Sequence, residues 1–197
     1  MSQRAFAQGR RQRGYTLVEI MMALAIFMVA MLGMFTMQKA AVSANMHARS
    51  AGLAQHLARS WASQLEMDAT QWRATQAGDW VNGVGQGSWL RPAYVVSRNF
   101  GARFDALGNP LKDTPEDQAL TRFCTNVRLT PLPLDTMGLA GNGVLRAEIR
   151  VYWLRDGASP TLPFCTEDAA QAALLGLRSD LYQFVYITTA VRQHSTI

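Results

Sequence analysis

The sequence predicts an α+β protein: one long N-terminal helix packed against a C-terminal antiparallel sheet. Three observations carry that prediction. Residues 15–67 hold no proline, the first in the chain being Pro92, and are rich in Ala, Met, Leu and Gln, which favour helix. Within them Leu53, Leu57, Trp61 and Leu65 recur every four residues beside Ala54, Ala58 and Ala62, an apolar stripe on one helical face. Far downstream, Leu145–Trp153 alternates strictly, with Leu145, Ala147, Ile149, Val151 and Trp153 on one side and Arg146, Glu148, Arg150 and Tyr152 on the other.

The elements follow in order. Residues 1–14 carry Arg4, Arg10, Arg11 and Arg13 and no acid. Residues 15–37 form an apolar run whose only formal charge is Glu19, and as a helix at about 1.5 Å per residue they reach roughly 35 Å, enough to cross a hydrocarbon core. A secretory signal would place its cleavage site after the apolar run. Here the one junction that disfavours helix, Gly14-Tyr15, precedes it, so a cut there would remove the basic leader and leave the apolar helix on the mature chain. Residues 38–67 continue as an amphipathic stem. Gly33 and Gly52 are the weak points of the whole 15–67 helix, each costing about 1 kcal/mol relative to alanine.

Residues 68–197 form the globular α+β part. Glycines crowd 78–87 and the aromatics Trp72, Trp80, Trp89, Tyr94 and Phe100 are irregularly spaced, which reads as a connecting region with one strand at 93–98. Thr114-Pro115-Glu116-Asp117 starts a helix to about Arg122, with Thr114 as N-cap. Cys124–Leu129, closed by Pro131 and Pro133, and Tyr182–Val191 are further strands. Thr166–Arg178 reads as a helix whose apolar residues are Ala169, Ala173, Leu174 and Leu177.

Gly14-Tyr15-Thr16-Leu17-Val18-Glu19, followed by an uninterrupted apolar helix, resembles the class III signal of type IV pilins and type II secretion pseudopilins. The resemblance is specific over about the first 25 residues. It implies cleavage by prepilin peptidase after Gly14, N-methylation of Tyr15 and a role for Glu19 as the carboxylate that registers subunits in a helical filament. A carboxylate in an apolar span costs about 2.5–3.5 kcal/mol on insertion scales, so it needs a partner, and the freed α-amino group of Tyr15 is the nearest cation. The bland alternative is a hydrated carboxylate near the headgroups.

The same leader explains the basic composition. Removing its four arginines takes the formal charge from +5 to +1, so the excess reports membrane orientation and argues against nucleic acid as a partner. A domain outside the cytoplasm favours a Cys124–Cys165 disulfide, worth roughly 4 kcal/mol in the loop-entropy picture, over two unpaired buried thiols. Catalysis finds no support: His47, His56 and His194 are scattered, and Gly83-Val84-Gly85-Gln86-Gly87 lacks the strand and helix of a phosphate cradle. No cofactor or metal is implied. Trp72, Trp80 and Trp89 suit either a stacking surface for sugars or a partner, or the completion of a small core.

Met31-Leu32-Gly33-Met34, Gln38, the alanine-rich stem ending at Trp61 and Leu65, and Val151-Tyr152-Trp153 are similar to PilV-type minor pilins. That resemblance implies a low-abundance subunit that primes and builds a type IV pilus near its tip. It would reside in the inner membrane with its globular domain in the periplasm, and then in the extracellular fibre. Its partners would be other minor pilins, the major pilin, prepilin peptidase, the inner-membrane assembly platform, a pilus adhesin and membrane lipid. Two alternatives stand beside it: a minor pseudopilin of type II secretion, and a signal-anchored periplasmic binding protein or enzyme.

Overall fold

The structure is a computed structural model that describes residues 15–69, 87–131, 144–155, 157–158, 164–165 and 169–192. The chain divides into two units, 1–48 and 49–197. One helix, α1 (Leu17–Ala69), passes through both.

In the first unit, every described side chain from Tyr15 to Ala48 is exposed. The helix is unbroken at Gly33, where Thr36 Oγ1 donates to the Gly33 carbonyl at 2.7 Å.

In the second unit, α1 buries Ala54, Leu57, Ala58, Trp61, Leu65 and Ala69, with Leu53 partly buried. The helix outruns the predicted boundary by two residues, to Ala69, because Asp68 and Ala69 still face the core. Trp61 is 1 % exposed. Burying an indole on that scale removes roughly 200 Å², an upper figure near 5 kcal/mol at about 25 cal/mol per Å².

The other side of this core is a five-stranded antiparallel sheet of β1 (Arg103–Phe104), β2 (Pro110–Leu111), β3 (Phe123–Pro131), β4 (Val144–Leu154) and β5 (Tyr182–Arg192), in the order β2-β1-β3-β4-β5. The long strands pair without a break, Phe123 opposite Trp153 and Ile149 opposite Ile187. Alternation then puts Phe123, Val127, Leu129, Ala147, Ile149, Val151, Trp153 and Val191 onto the α1 stripe. Pro131 does not close β3 from outside, as the sequence suggested, but is its last residue.

The expected strand at 93–98 is absent. Val96–Arg98 is a single turn of 3-10 helix, and Asn99 follows in the left-handed region at φ 47°. The Val95 N–H donates to the Phe100 carbonyl across this tight loop, so the local β-branched residues fold onto their own neighbours rather than into the sheet. Two short strands that sequence patterning missed stand nearby. The β1–β2 turn is held by Asp105, whose Oδ1 accepts from the N–H groups of Leu107 and Asn109, both at 2.8 Å. Gly108 sits in that turn at φ 86°, where a Cβ would lie 2.9 Å from Leu53 Cδ1.

Two helices complete the unit. α2 (Pro115–Leu120) has Thr114 as its N-cap, accepting from the Asp117 N–H at 3.3 Å. α3 (Ala169–Leu175) is shorter than predicted and turns another face inward. Ala172 and Leu175 are buried, while the expected Ala173, Leu174 and Leu177 are exposed. The Arg150 guanidinium, donating to the Ala172 carbonyl, fixes that face. At Gly176 a Cβ would come within 3.3 Å of the same guanidinium.

Candidate functional site

The segment singled out by the sequence begins at Tyr15. Thr16 and Glu19 hold each other at the start of α1: Thr16 Oγ1 accepts from the Glu19 N–H at 3.3 Å, and the Glu19 carboxylate accepts from the Thr16 N–H at 3.3 Å. This is a reciprocal capping box, readable in the sequence as Thr-x-x-Glu but overlooked there because Glu19 drew attention as a charge. It gives the Thr16 amide an acceptor and adds a side-chain acceptor to the Glu19 amide, which also reaches the Thr16 carbonyl at 3.1 Å. It also gives the carboxylate a local role that survives a cut at Gly14-Tyr15, because the Thr16 amide lies beyond that bond. Gly14 and the leader lie outside the described residues.

Glu19 stands on a stripe. Tyr15, Glu19, Ala23 and Phe27 follow one another at four-residue spacing and, with Ile20 and Leu24, line an open groove of about 580 Å³. Around the groove stands apolar bulk: Leu17, Met21, Ile26, Met28, Val29, Leu32 and Phe35 are all exposed. The helix is long and apolar enough to cross a membrane.

In the second unit, the sheet face turned away from α1 has its own cluster. Cys124 and Cys165 form a disulfide with Cα atoms 5.5 Å apart, buried among Tyr152, Tyr182 and Leu175. Burial pushes the Tyr152 phenol well above its ordinary range. Next along β4, Arg150 is 1 % exposed and bonds Asn126 Oδ1 at 3.0 Å. Burial lowers its affinity for the proton, partly offset by Tyr186 and Tyr152. Its guanidinium carbon lies 4.4 Å from the centre of the Trp89 ring, and that of Arg128 lies 4.6 Å from it. Arg128 is paired with Glu148 at 2.5 Å, and this hydrogen bond holds the Glu148 carboxyl below the usual range.

Trp89 is therefore half-buried against the sheet, edge-on to Tyr186 at 6.3 Å and in contact with both guanidinium groups. Trp72 and Trp80 lie outside the described residues, as do His194 and most of the glycine run at 83–87.

Sequence reasoning missed two ion clusters. Asp68 is buried at the end of α1 and accepts from Arg98. Asp113 accepts from Arg91 and lies 3.3 Å from the Arg103 Nε. Neither pair shares a helical or strand spacing, so no local signal announces it. Among the described residues no three His, Cys, Asp or Glu side chains gather as a metal site would require. His47 and His56 are both exposed on α1.

With this geometry in place, one comparison is positive: residues 9–35 match the family described as the prokaryotic N-terminal methylation motif. That match supports a type IV pilin-like prepilin. No curated protein and no solved structure matches the chain. The matched stretch covers Gly14, Tyr15 and Glu19, and the exposed apolar helix fits a membrane-anchored pilin. It points to a structural subunit that meets other pilins and a prepilin peptidase.

Proposed function

We propose that this chain is a minor pilin of the PilV type, cut after Gly14, N-methylated on Tyr15 and inserted near the tip of a type IV pilus to prime its assembly. Residues 1–14 would be the leader, 15–37 the membrane and assembly half of the helix, 38–67 the stem and 68–197 the displayed domain. The single observation that supports this most is the conjunction at the N-terminus. A methylation motif at residues 9–35 opens a helix that is exposed on all sides and charged, up to Gln38, only at Glu19.

The mechanism is polymerisation from a membrane pool. In lipid, the capping box keeps the Glu19 carboxylate hydrogen-bonded. On insertion, a neighbour's Tyr15 amine would approach the groove where Tyr15, Glu19, Ala23 and Phe27 stand in line. Only the stagger that joins amine and carboxylate relieves the charge in an apolar surround. The partners are then the major pilin, fellow minor pilins, the assembly platform and an adhesin at the tip.

The test is N-terminal mass spectrometry on protein from sheared surface fibres. A chain beginning at methylated Tyr15, at a small fraction of the main subunit, is the expected result. A chain retaining its leader arginines would overturn the reading in favour of an ordinary signal-anchored protein. Recovery with secretion components rather than in fibres would move it to the pseudopilins. Glu19→Ala should be processed normally yet fail to enter fibres; parental incorporation would remove the registration role.

A further inference from the structure

The two edges of the sheet are built differently. At one edge, β2 is two residues long, begins with Pro110 and is followed by Lys112. Shortness, proline and lysine are the devices by which sheets keep other strands away. At the other edge, β5 runs 11 residues and pairs with β4 from Tyr182 to Arg192 without a bulge. It contains no Pro, Gly or Lys, and its one charge is the terminal Arg192. Among the described residues no strand lies on its free side. That side offers amide and carbonyl groups at alternate residues, a set that another extended backbone can pair in register.

The side chains select the occupant. On the outer face, β5 places the large Tyr182, Phe184 and Tyr186 in its first half and Thr188, Ala190 and Arg192 in its second. On the core face come Gln183 and Val185, then Ile187, then Thr189 and Val191. An antiparallel copy related by a two-fold axis at Ile187 sets Phe184 against Ala190, Tyr186 against Thr188 and Val185 against Thr189. Large residues meet small ones, and Arg192 falls opposite Tyr182 instead of opposite its own counterpart. Val185 and Ile187 pack against the core yet stay only partly buried, so the core stops short at this edge. A second β5 would cover both.

We propose that β5 is a self-complementary docking strand for a second copy of this chain, joining two sheets into one across an isologous interface. The inference goes beyond the pilin reading and does not depend on it.

The experiment uses the full chain in lipid nanodiscs holding two copies. Both native cysteines are in the Cys124–Cys165 disulfide, so an introduced thiol reports alone. Directly opposed residues in such a pair lie about 4.5–5.5 Å apart at Cα, within disulfide reach. Ile187→Cys should therefore cross-link to itself on mild oxidation. Phe184→Cys and Ala190→Cys should each stay monomeric alone, because like residues are about 20 Å apart along the strand, and should cross-link when mixed. Adding Thr188→Lys, at an exposed position, should abolish the Ile187→Cys product. The proposal is overturned if Ile187→Cys stays monomeric while circular dichroism shows a folded sheet. It is equally overturned by self-linking of Phe184→Cys, by slow exchange, in nanodiscs holding one copy, of the β5 amides that face away from β4, which would mean the chain covers its own edge, or by a cross-link to another protein only.

Discussion

From Tyr15 to Arg49 every described side chain is open to the surroundings, whereas from Ala54 onward α1 hides one or two residues in every turn. The backbone is the same helix in both stretches; what differs is whether the chain supplies the other side of the contact. Above Arg49 it does, in the form of β3, β4 and β5, and the sequence there is apolar on one face only. Before Gln38 it is apolar all round, the pattern of a helix meant for lipid or for like helices. Burial stripes thus mark where a domain ends its obligations to itself and where assembly begins.

Breaking this contrast starts with its largest element. Trp61→Ala should cost roughly 3–5 kcal/mol, read from denaturant unfolding of the full chain in detergent micelles. Replacing both Cys124 and Cys165 by alanine comes next, at about 2–4 kcal/mol in the same assay. Arg150→Ala strips the guanidinium from the Asn126 side chain and the Ala172 carbonyl and uncovers one side of Trp89, so a loss of about 1–3 kcal/mol is expected.

Acid sharpens the picture further. Glu148 has a depressed folded-state pKa because Arg128 hydrogen-bonds its charged form, with Arg146 adding to the pull. Its contribution is complete above the unfolded value of about 4.3 and is lost as pH falls through the folded value. Unfolding free energies below about pH 4 should therefore drop by up to roughly 1 kcal/mol in the parent and less in Glu148→Gln. The smallest effect belongs to the exposed half: Leu24→Ala should leave domain stability within about 0.5 kcal/mol. A loss matching that of Trp61→Ala would erase the distinction between the two stretches.

Legibility followed the same divide between local and distant causes. The Leu57, Trp61 and Leu65 spacing and the alternation of Val144–Leu154 are local patterns, and both elements lie where reading the chain puts them. The Thr114 cap was equally plain. The two-residue strands Arg103–Phe104 and Pro110–Leu111 were not, since strands that short are defined by a partner many residues away. Burial of Arg150 and Asp68 was hidden for the same reason: charged residues look solvated until the distant groups that receive them are known. At the N-terminus, the apolar helix and its acid were legible, while the hydrogen bonds between Thr16 and Glu19 were spelled out but went unread.

The bridge between Cys124 and Cys165 has one further consequence, for wear. It closes a covalent ring, so a single protease nick anywhere between those residues severs the backbone without releasing either piece. A subunit cut there would run as one species on a non-reducing gel and as two after thiol treatment. A domain displayed where outside enzymes can reach it could thus be damaged once and still hold on.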